Sequence, residues 1–212
     1  MKSKDNIKAI FEKYAKAYQD KYMSVTMYSR SLNTLLDELG TENIDILDVA
    51  CGPGNISRYL LDRRPDLQIL GIDISEKMIA LAKKNNPEAH FRVLDCTDIS
   101  EIDKNFDAIV AGFCLPYLSK NEVELFLKEA SNILKSKSYL YLSLMEDEYD
   151  KSGNMSSSNN TGEQLPTYFY QEKDLRVIAS QCNLEIIFTE RLENRNNKEG
   201  VKDLVLIAQK LK

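Results

Sequence analysis

Apolar residues recur at helical spacing at Ile7, Ile10, Phe11, Tyr14 and Tyr18, and again at Leu32, Leu35, Leu36 and Leu39 before Gly40, so two helices precede the first strand. The pattern then switches to short apolar runs separated by amphipathic stretches. Strands are predicted up to Cys51 and through Ile69–Ile72, Phe91–Leu94, Ala108–Val110 and Tyr139–Leu142. Helices are predicted from about Asn55, from about Ser75 and from about Lys120 to Leu134. Repeated strand-helix winding of this kind predicts a doubly wound α/β fold, with a mostly parallel sheet covered on both faces.

From Asp147 to Gly162 the chain turns to serine, asparagine and glycine, too polar for a core and longer than most connections in a compact domain, so a mobile loop is expected. A helix from about Gln171 to Gln181 follows. Leu184–Phe188 and Leu204–Ile207, separated by a polar turn near Asn194 to Gly200, read as a C-terminal antiparallel hairpin that brings the strand count to seven.

With 212 residues, 43% hydrophobic and 29% charged, the composition fits one globular domain with a sizeable core. The formal net charge of -5 argues against a protein held on nucleic acid by a broad basic footprint. Six lysines precede Tyr22, but Asp5, Glu12 and Asp20 are interleaved with them, which reads as a solvated helix face. No charged-then-apolar leader begins the sequence and no apolar run approaches the roughly 18 residues of a membrane span, so a soluble, cytoplasmic protein without a membrane partner is expected. Cys51, Cys96, Cys114 and Cys182 form no C-x-x-C pair and sit in apolar segments, which suits buried reduced thiols and implies no metal site. The one histidine, His90, begins the third strand and reads as structural.

The strongest chemical signal is Ile46-Leu47-Asp48-Val49-Ala50-Cys51-Gly52-Pro53-Gly54-Asn55-Ile56-Ser57, an apolar strand ending in an acid and a glycine turn that opens a helix. Such turns let a ligand approach the backbone, and the new helix offers free N–H groups. The nicotinamide fingerprint G-x-G-x-x-G is incomplete, because Ser57 stands where the third glycine belongs. No Lys-Ser/Thr pair follows the glycines, so a Walker A loop is excluded.

The string Asp48-x-x-Cys51-Gly52-x-Gly54 resembles motif I of class I S-adenosylmethionine-dependent methyltransferases, with Ala50 in place of the usual first glycine. That resemblance runs from about Phe11 to the final hairpin. It implies a Rossmann-like seven-stranded sheet with an N-terminal helical cap over 1–40, a cofactor-binding core over 41–146 and a C-terminal helix and hairpin over 168–212, all in one domain; the polar insertion over 147–167, placed where substrate would enter, reads as lid-like. Ligands bind such sheets outside the carboxyl ends of the strands. Asp73, about 20 residues past the glycine turn, stands where an acid accepts from both ribose hydroxyls. Its other reading is a helix N-cap, a role for which Ser75 is better placed. The resemblance further implies Ile74 against the adenine, Asp95 accepting from the adenine amino group with the backbone of Cys96 donating to the ring, and Gly112 and Phe113 contacting the methionine part. Asp98 is the alternative to Asp95. Tyr18 matches a cap tyrosine that closes over the cofactor, and the packed face of a helix is the other reading for it.

The implied chemistry is in-line methyl transfer from S-adenosyl-L-methionine to a small-molecule substrate, with S-adenosyl-L-homocysteine as product. Many small-molecule methyltransferases carry His-His where Pro116-Tyr117 stands, so a histidine base is absent at this point. The candidates for a catalytic group are Tyr117, Glu146, Asp147 and Tyr170. Positioning alone also suffices for such a displacement. Cys114-Leu115-Pro116-Tyr117 lacks the gripping acceptor of the Asn/Asp-Pro-Pro-Tyr motif of nucleic-acid and protein N-methyltransferases. That activity and a non-catalytic S-adenosylmethionine-binding regulatory domain stand as the alternatives.

Overall fold

In a computed structural model, residues 2–41, 43–156, 163–196 and 200–212 are described. Helices α1 (Lys2–Tyr22) and α2 (Ser29–Glu38) lead into strand β1 (Asp45–Val49). Then come α3 (Asn55–Leu61), β2 (Gln68–Asp73), α4 (Glu76–Asn85), β3 (His90–Val93), β4 (Phe106–Gly112), α5 (Lys120–Ile133) and β5 (Leu134–Glu146). The chain ends with β6 (Gly153–Ser156), β7 (Gln164–Thr167), α6 (Glu172–Gln181), β8 (Leu184–Glu193) and β9 (Lys202–Lys210).

One seven-stranded sheet has the order β3-β2-β1-β4-β5-β9-β8. The five strands from β3 to β5 are parallel, while β9 runs antiparallel between β5 and β8. The mostly parallel doubly wound sheet and the C-terminal hairpin are therefore as the sequence predicts. Alternation along the strands divides the core. Leu47, Ile109, Leu140 and Leu206 meet α5 and α6 on one face, and Ile46, Ala108, Tyr141 and Ile207 meet α2 and α3 on the other. Side-chain period 2 in a sheet covered on both faces produces this division. Ser75 caps α4 by accepting from the Met78 N–H, and a Ser119–Glu122 capping box starts α5. α4 thus already has its cap without Asp73.

The structure corrects the expectation of a loop from 147 to 162. β6 and β7 pair antiparallel, with Gly153 opposite Thr167 and Ser156 opposite Gln164; the remainder of the predicted loop, 157–162, lies outside the described residues. A two-stranded ribbon is marginal alone. Here it buries Leu165 with Ile7 and Ile10 of α1. One anchoring leucine in a polar stretch gives little strand signal. Of the four cysteines, Cys51 and Cys114 are buried whereas Cys96 and Cys182 are only half-buried, and all four are free thiols. Among the described residues no helix is long and apolar enough to cross a membrane.

Candidate functional site

β1 runs into a turn in which Ala50, Gly52 and Gly54 all have positive φ, at 53°, 53° and 77°. The left-handed region costs a side chain roughly 1–2 kcal/mol, so Ala50 is held there by its surroundings. The Gly52 N–H donates to Asp73 Oδ2 at 2.9 Å and thereby ties the turn to the end of β2. A Cβ on Gly54 would lie 2.3 Å from Asn86 Nδ2 and 3.3 Å from the Ala82 backbone. Gly54 lines neither cavity at this edge, and its place is the contact with α4. Where a cofactor contact was expected, the space a Cβ on Gly54 would need is taken up by Asn86 and Ala82. Ser57 is buried and donates to Asp48 Oδ2 at 2.6 Å. Burial raises the Asp48 carboxyl to about 7, against the lowering effect of the Ser57 bonds.

Asp73 Oδ1 accepts from the Ser75 N–H at 2.8 Å, so each carboxylate oxygen holds one backbone N–H. Burial lifts this carboxyl to about 6, the Ser75 and Gly52 N–H groups pulling the other way. In front of it lies a cavity of about 90 Å³ bounded by Ile74, Met78, Leu94, Asp95 and Cys96. Lys4, Ile7, Phe11 and Tyr18 of α1 close it on the other side. Asp95 accepts from the Thr97 N–H and hydroxyl at 2.9 Å and pairs with Lys4 Nζ at 3.1 Å. Burial pushes the Asp95 carboxyl up, but Thr97 and Lys4 outweigh it and hold it below the usual range.

A second cavity, about 560 Å³, opens beside the first, and Phe11, Tyr18, Ala50, Gly52, Phe113 and Tyr117 are among the residues that line both. That volume lies within the range of small-molecule sites. Phe113, just past β4, has φ of 54° and donates its N–H to the Ser143 carbonyl at 2.8 Å. Tyr18 packs against Tyr22 at 4.6 Å and Phe11 against Tyr117 at 5.3 Å between ring centroids. Burial raises the phenols of Tyr18 and Tyr117 well above their ordinary value. Also on this cavity, the Tyr28 hydroxyl and the Asn194 amide each donate to the buried Asp203 at 2.6 Å, and the Arg195 N–H donates at 3.2 Å.

Of the expected residues, Tyr18, Asp48, Ala50, Gly52, Asp73, Ile74, Asp95, Cys96, Gly112 and Phe113 all border one cavity or both. Among the catalytic candidates only Tyr117 does. Glu146 is bound by Arg191 at 2.5 and 2.9 Å, Asp147 pairs with Lys151 at 2.6 Å, and the buried Tyr170 hydroxyl donates to the Leu118 carbonyl at 2.5 Å. Each of the three is engaged with protein partners and lines neither cavity. Lys4, Asn194, Arg195 and Asp203 border the cavities without having been expected to. An acid inside the apolar run of β9 was a usable signal for Asp203, whereas nothing in the sequence singled out Arg195.

Residues 46–137, from β1 into β5, match a family model described as a methyltransferase domain. A solved S-adenosylmethionine-dependent methyltransferase from Methanosarcina mazei superposes with a TM-score of 0.68 at 25% identity, over 83% of this chain and 96% of its own. Over β1 to the start of β5 the chain is thus similar to methyltransferase domains, and its fold to that of a solved S-adenosylmethionine-dependent methyltransferase. The glycine turn and the strand-end acids stand on one edge of the sheet. Two curated relatives are similar over shorter stretches. Demethylmenaquinone methyltransferase of Thermotoga maritima is 29% identical over 146 residues, 66% of this chain and 62% of that protein. Malonyl-[acyl-carrier protein] O-methyltransferase of Acetivibrio thermocellus is 37% identical over 107 residues, 48% of this chain and 36% of that one. The chain thus spans about half the length of the curated relatives it matches.

Proposed function

We propose that the protein binds S-adenosyl-L-methionine across the carboxyl ends of β1 to β4 and passes its methyl group to a small molecule held in the 560 Å³ cavity. The observation that carries this reading is Asp73. Its two oxygens each spend one lone pair on a backbone N–H and keep one, a matched pair of acceptors for a vicinal diol, beside an apolar pocket. The residues present fit the cofactor: Ile74, Met78 and Leu94 offer apolar walls for a base, and Asp95 offers an acceptor for its amino group.

The cofactor supplies an electrophilic methyl group on a sulfonium. The protein's part is to hold it at the junction of the two cavities, where Gly112, Phe113 and Tyr117 stand, and to align the acceptor with it. The Tyr117 phenol keeps its proton at neutral pH, so it serves as a hydrogen-bonding group there and not as a base. Asp203 is occupied by three donors. Asp48, lifted to about 7 and held by Ser57, is the other titratable carboxyl at the large cavity, and an acceptor that is nucleophilic without losing a proton needs no base there. The demethylmenaquinone named for the Thermotoga relative is a small molecule, in keeping with this reading.

Incubation with methyl-labelled S-adenosyl-L-methionine and a panel of small carboxylates, phenols, amines and thiols tests the transfer. Label is expected in at least one class of acceptor; cofactor binding with no transfer to any of them would favour a regulatory domain instead.

A further inference from the structure

Four charged residues border the large cavity: Lys21, Asp48, Arg195 and Asp203. Both acids are satisfied from within the protein, Asp48 by Ser57 and Asp203 by Tyr28, Asn194 and Arg195. Arg195 is different. Its Nη2 donates to the Lys21 carbonyl at 2.9 Å and its guanidinium stands 4.9 Å from the centroid of the Tyr22 ring. Tyr22 is itself fixed, since it is buried and its hydroxyl donates to Asn196 Oδ1 at 2.8 Å. Among the described residues no carboxylate lies within ion-pair distance of Arg195. A guanidinium has five N–H donors in a planar fork. One is spent on the Lys21 carbonyl, and the ring holds the plane in place without using any more. Its charge reaches into the cavity, where it favours the ionised forms of Tyr18, Tyr28 and Asp203.

We propose that Arg195 is a carboxylate receptor, taking the carboxylate of a ligand in the large cavity on its free fork while Tyr22 backs the guanidinium. The inference rests on the cofactor reading above only in part, because the carboxylate has two sources: the amino-acid end of the cofactor, or an acceptor that carries a carboxylate of its own. A fork of parallel donors matches the two oxygens of a carboxylate, and a pre-oriented guanidinium loses little freedom on binding it. A carboxylate acceptor would also be nucleophilic without losing a proton, so it needs no base in the cavity.

The test compares wild type, Arg195→Gln and Arg195→Lys by calorimetry with four probes. S-adenosyl-L-homocysteine carries the amino-acid carboxylate, 5′-methylthioadenosine lacks it, and trans-aconitate and succinate are offered to the protein with and without S-adenosyl-L-homocysteine. If the cofactor is the source, Arg195→Gln weakens S-adenosyl-L-homocysteine tenfold or more and leaves 5′-methylthioadenosine within threefold. If the acceptor is the source, both adenosyl ligands are unchanged and a dicarboxylate that binds wild type binds the variant at least tenfold more weakly. In either case Arg195→Lys retains part of the affinity. The proposal is overturned if the variant matches wild type within threefold for every probe, including the case in which wild type binds no dicarboxylate. It is also overturned if both adenosyl ligands weaken equally, which marks a structural role. Failure of wild type to bind either adenosyl ligand would instead overturn the cofactor reading, and the dicarboxylates offered alone would still report on Arg195.

Discussion

Replacing Asp73 with asparagine keeps the outline of the side chain and removes its charge. In the native site Oδ2 accepts from the Gly52 N–H at 2.9 Å and Oδ1 from the Ser75 N–H at 2.8 Å. An amide has one oxygen and one NH2 group, so whichever way the substituted side chain turns, its NH2 group faces a backbone N–H. One backbone bond and one ribose acceptor are lost, and the remaining ribose bond is no longer made to an ion. Hydrogen bonds to charged groups contribute about 1.5–3 kcal/mol each. The expected loss is therefore about 3 kcal/mol, roughly a hundredfold in Kd for S-adenosyl-L-homocysteine. The pH dependence gives a second, independent reading. Burial lifts the free Asp73 carboxyl to about 6, while a diol donating to both oxygens favours the ionised form. Wild-type affinity should be level above pH 6 and fall by up to about tenfold per pH unit below it, and Asp73→Asn should lose that slope. Calorimetric titrations at pH 5, 6 and 8 read both effects. A variant within threefold of wild type and with the same slope would refute the assignment of Asp73 to the ribose.

Lys4→Met removes the ammonium that occupies Asp95 on the adenine side; a partly exposed pair of this kind contributes about 1 kcal/mol, so S-adenosyl-L-homocysteine should bind two- to fivefold more tightly, and weaker binding in a titration would show Lys4 to be part of the binding wall. Gly54→Ala places a methyl group 2.3 Å from Asn86 Nδ2 at a φ of 77° and should destabilise the fold by about 2–4 kcal/mol in urea denaturation; a loss under 0.5 kcal/mol would mean that α4 yields freely. Asp48 holds its proton up to about pH 7 when folded but releases it near 3.8 when unfolded. Between those values the folded state binds more protons, so stability falls as pH rises from about 4 to 7, by up to about 4 kcal/mol, and Asp48→Asn should flatten that part of the curve. Urea midpoints for both proteins at pH 5 and 8 decide it.

The winding of the sheet was legible because strands such as Ile46–Val49 and Ala108–Gly112, buried on both faces, are nearly continuous apolar runs between amphipathic helices. The edge acids were legible for a related reason: Asp48, Asp73 and Asp95 each end an apolar run, where a charge stands out. What escaped depends on contacts distant in sequence. The close contact of Gly54 comes from Asn86 just past α4, 32 residues on, and spacing within a motif carries no record of that neighbour. β6 and β7 are polar strands held by one leucine under α1. Glu146 and Asp147 were placed correctly near the end of β5; Lys151, four residues on, pairs with Asp147, while Arg191 pairs with Glu146 across 45 residues, which leaves no pattern in the chain. Arg195 sits in a turn whose polarity is ordinary for a hairpin, and its meaning comes only from Tyr22 beneath it and the cavity in front.

The central claim is that the sheet edge is an S-adenosylmethionine site. Equilibrium dialysis of the folded protein against labelled S-adenosyl-L-methionine measures this most directly. One molecule bound per chain, displaced by S-adenosyl-L-homocysteine and untouched by NAD or NADP, is the predicted result. No retained label, or displacement by NAD at the same concentration, would contradict it.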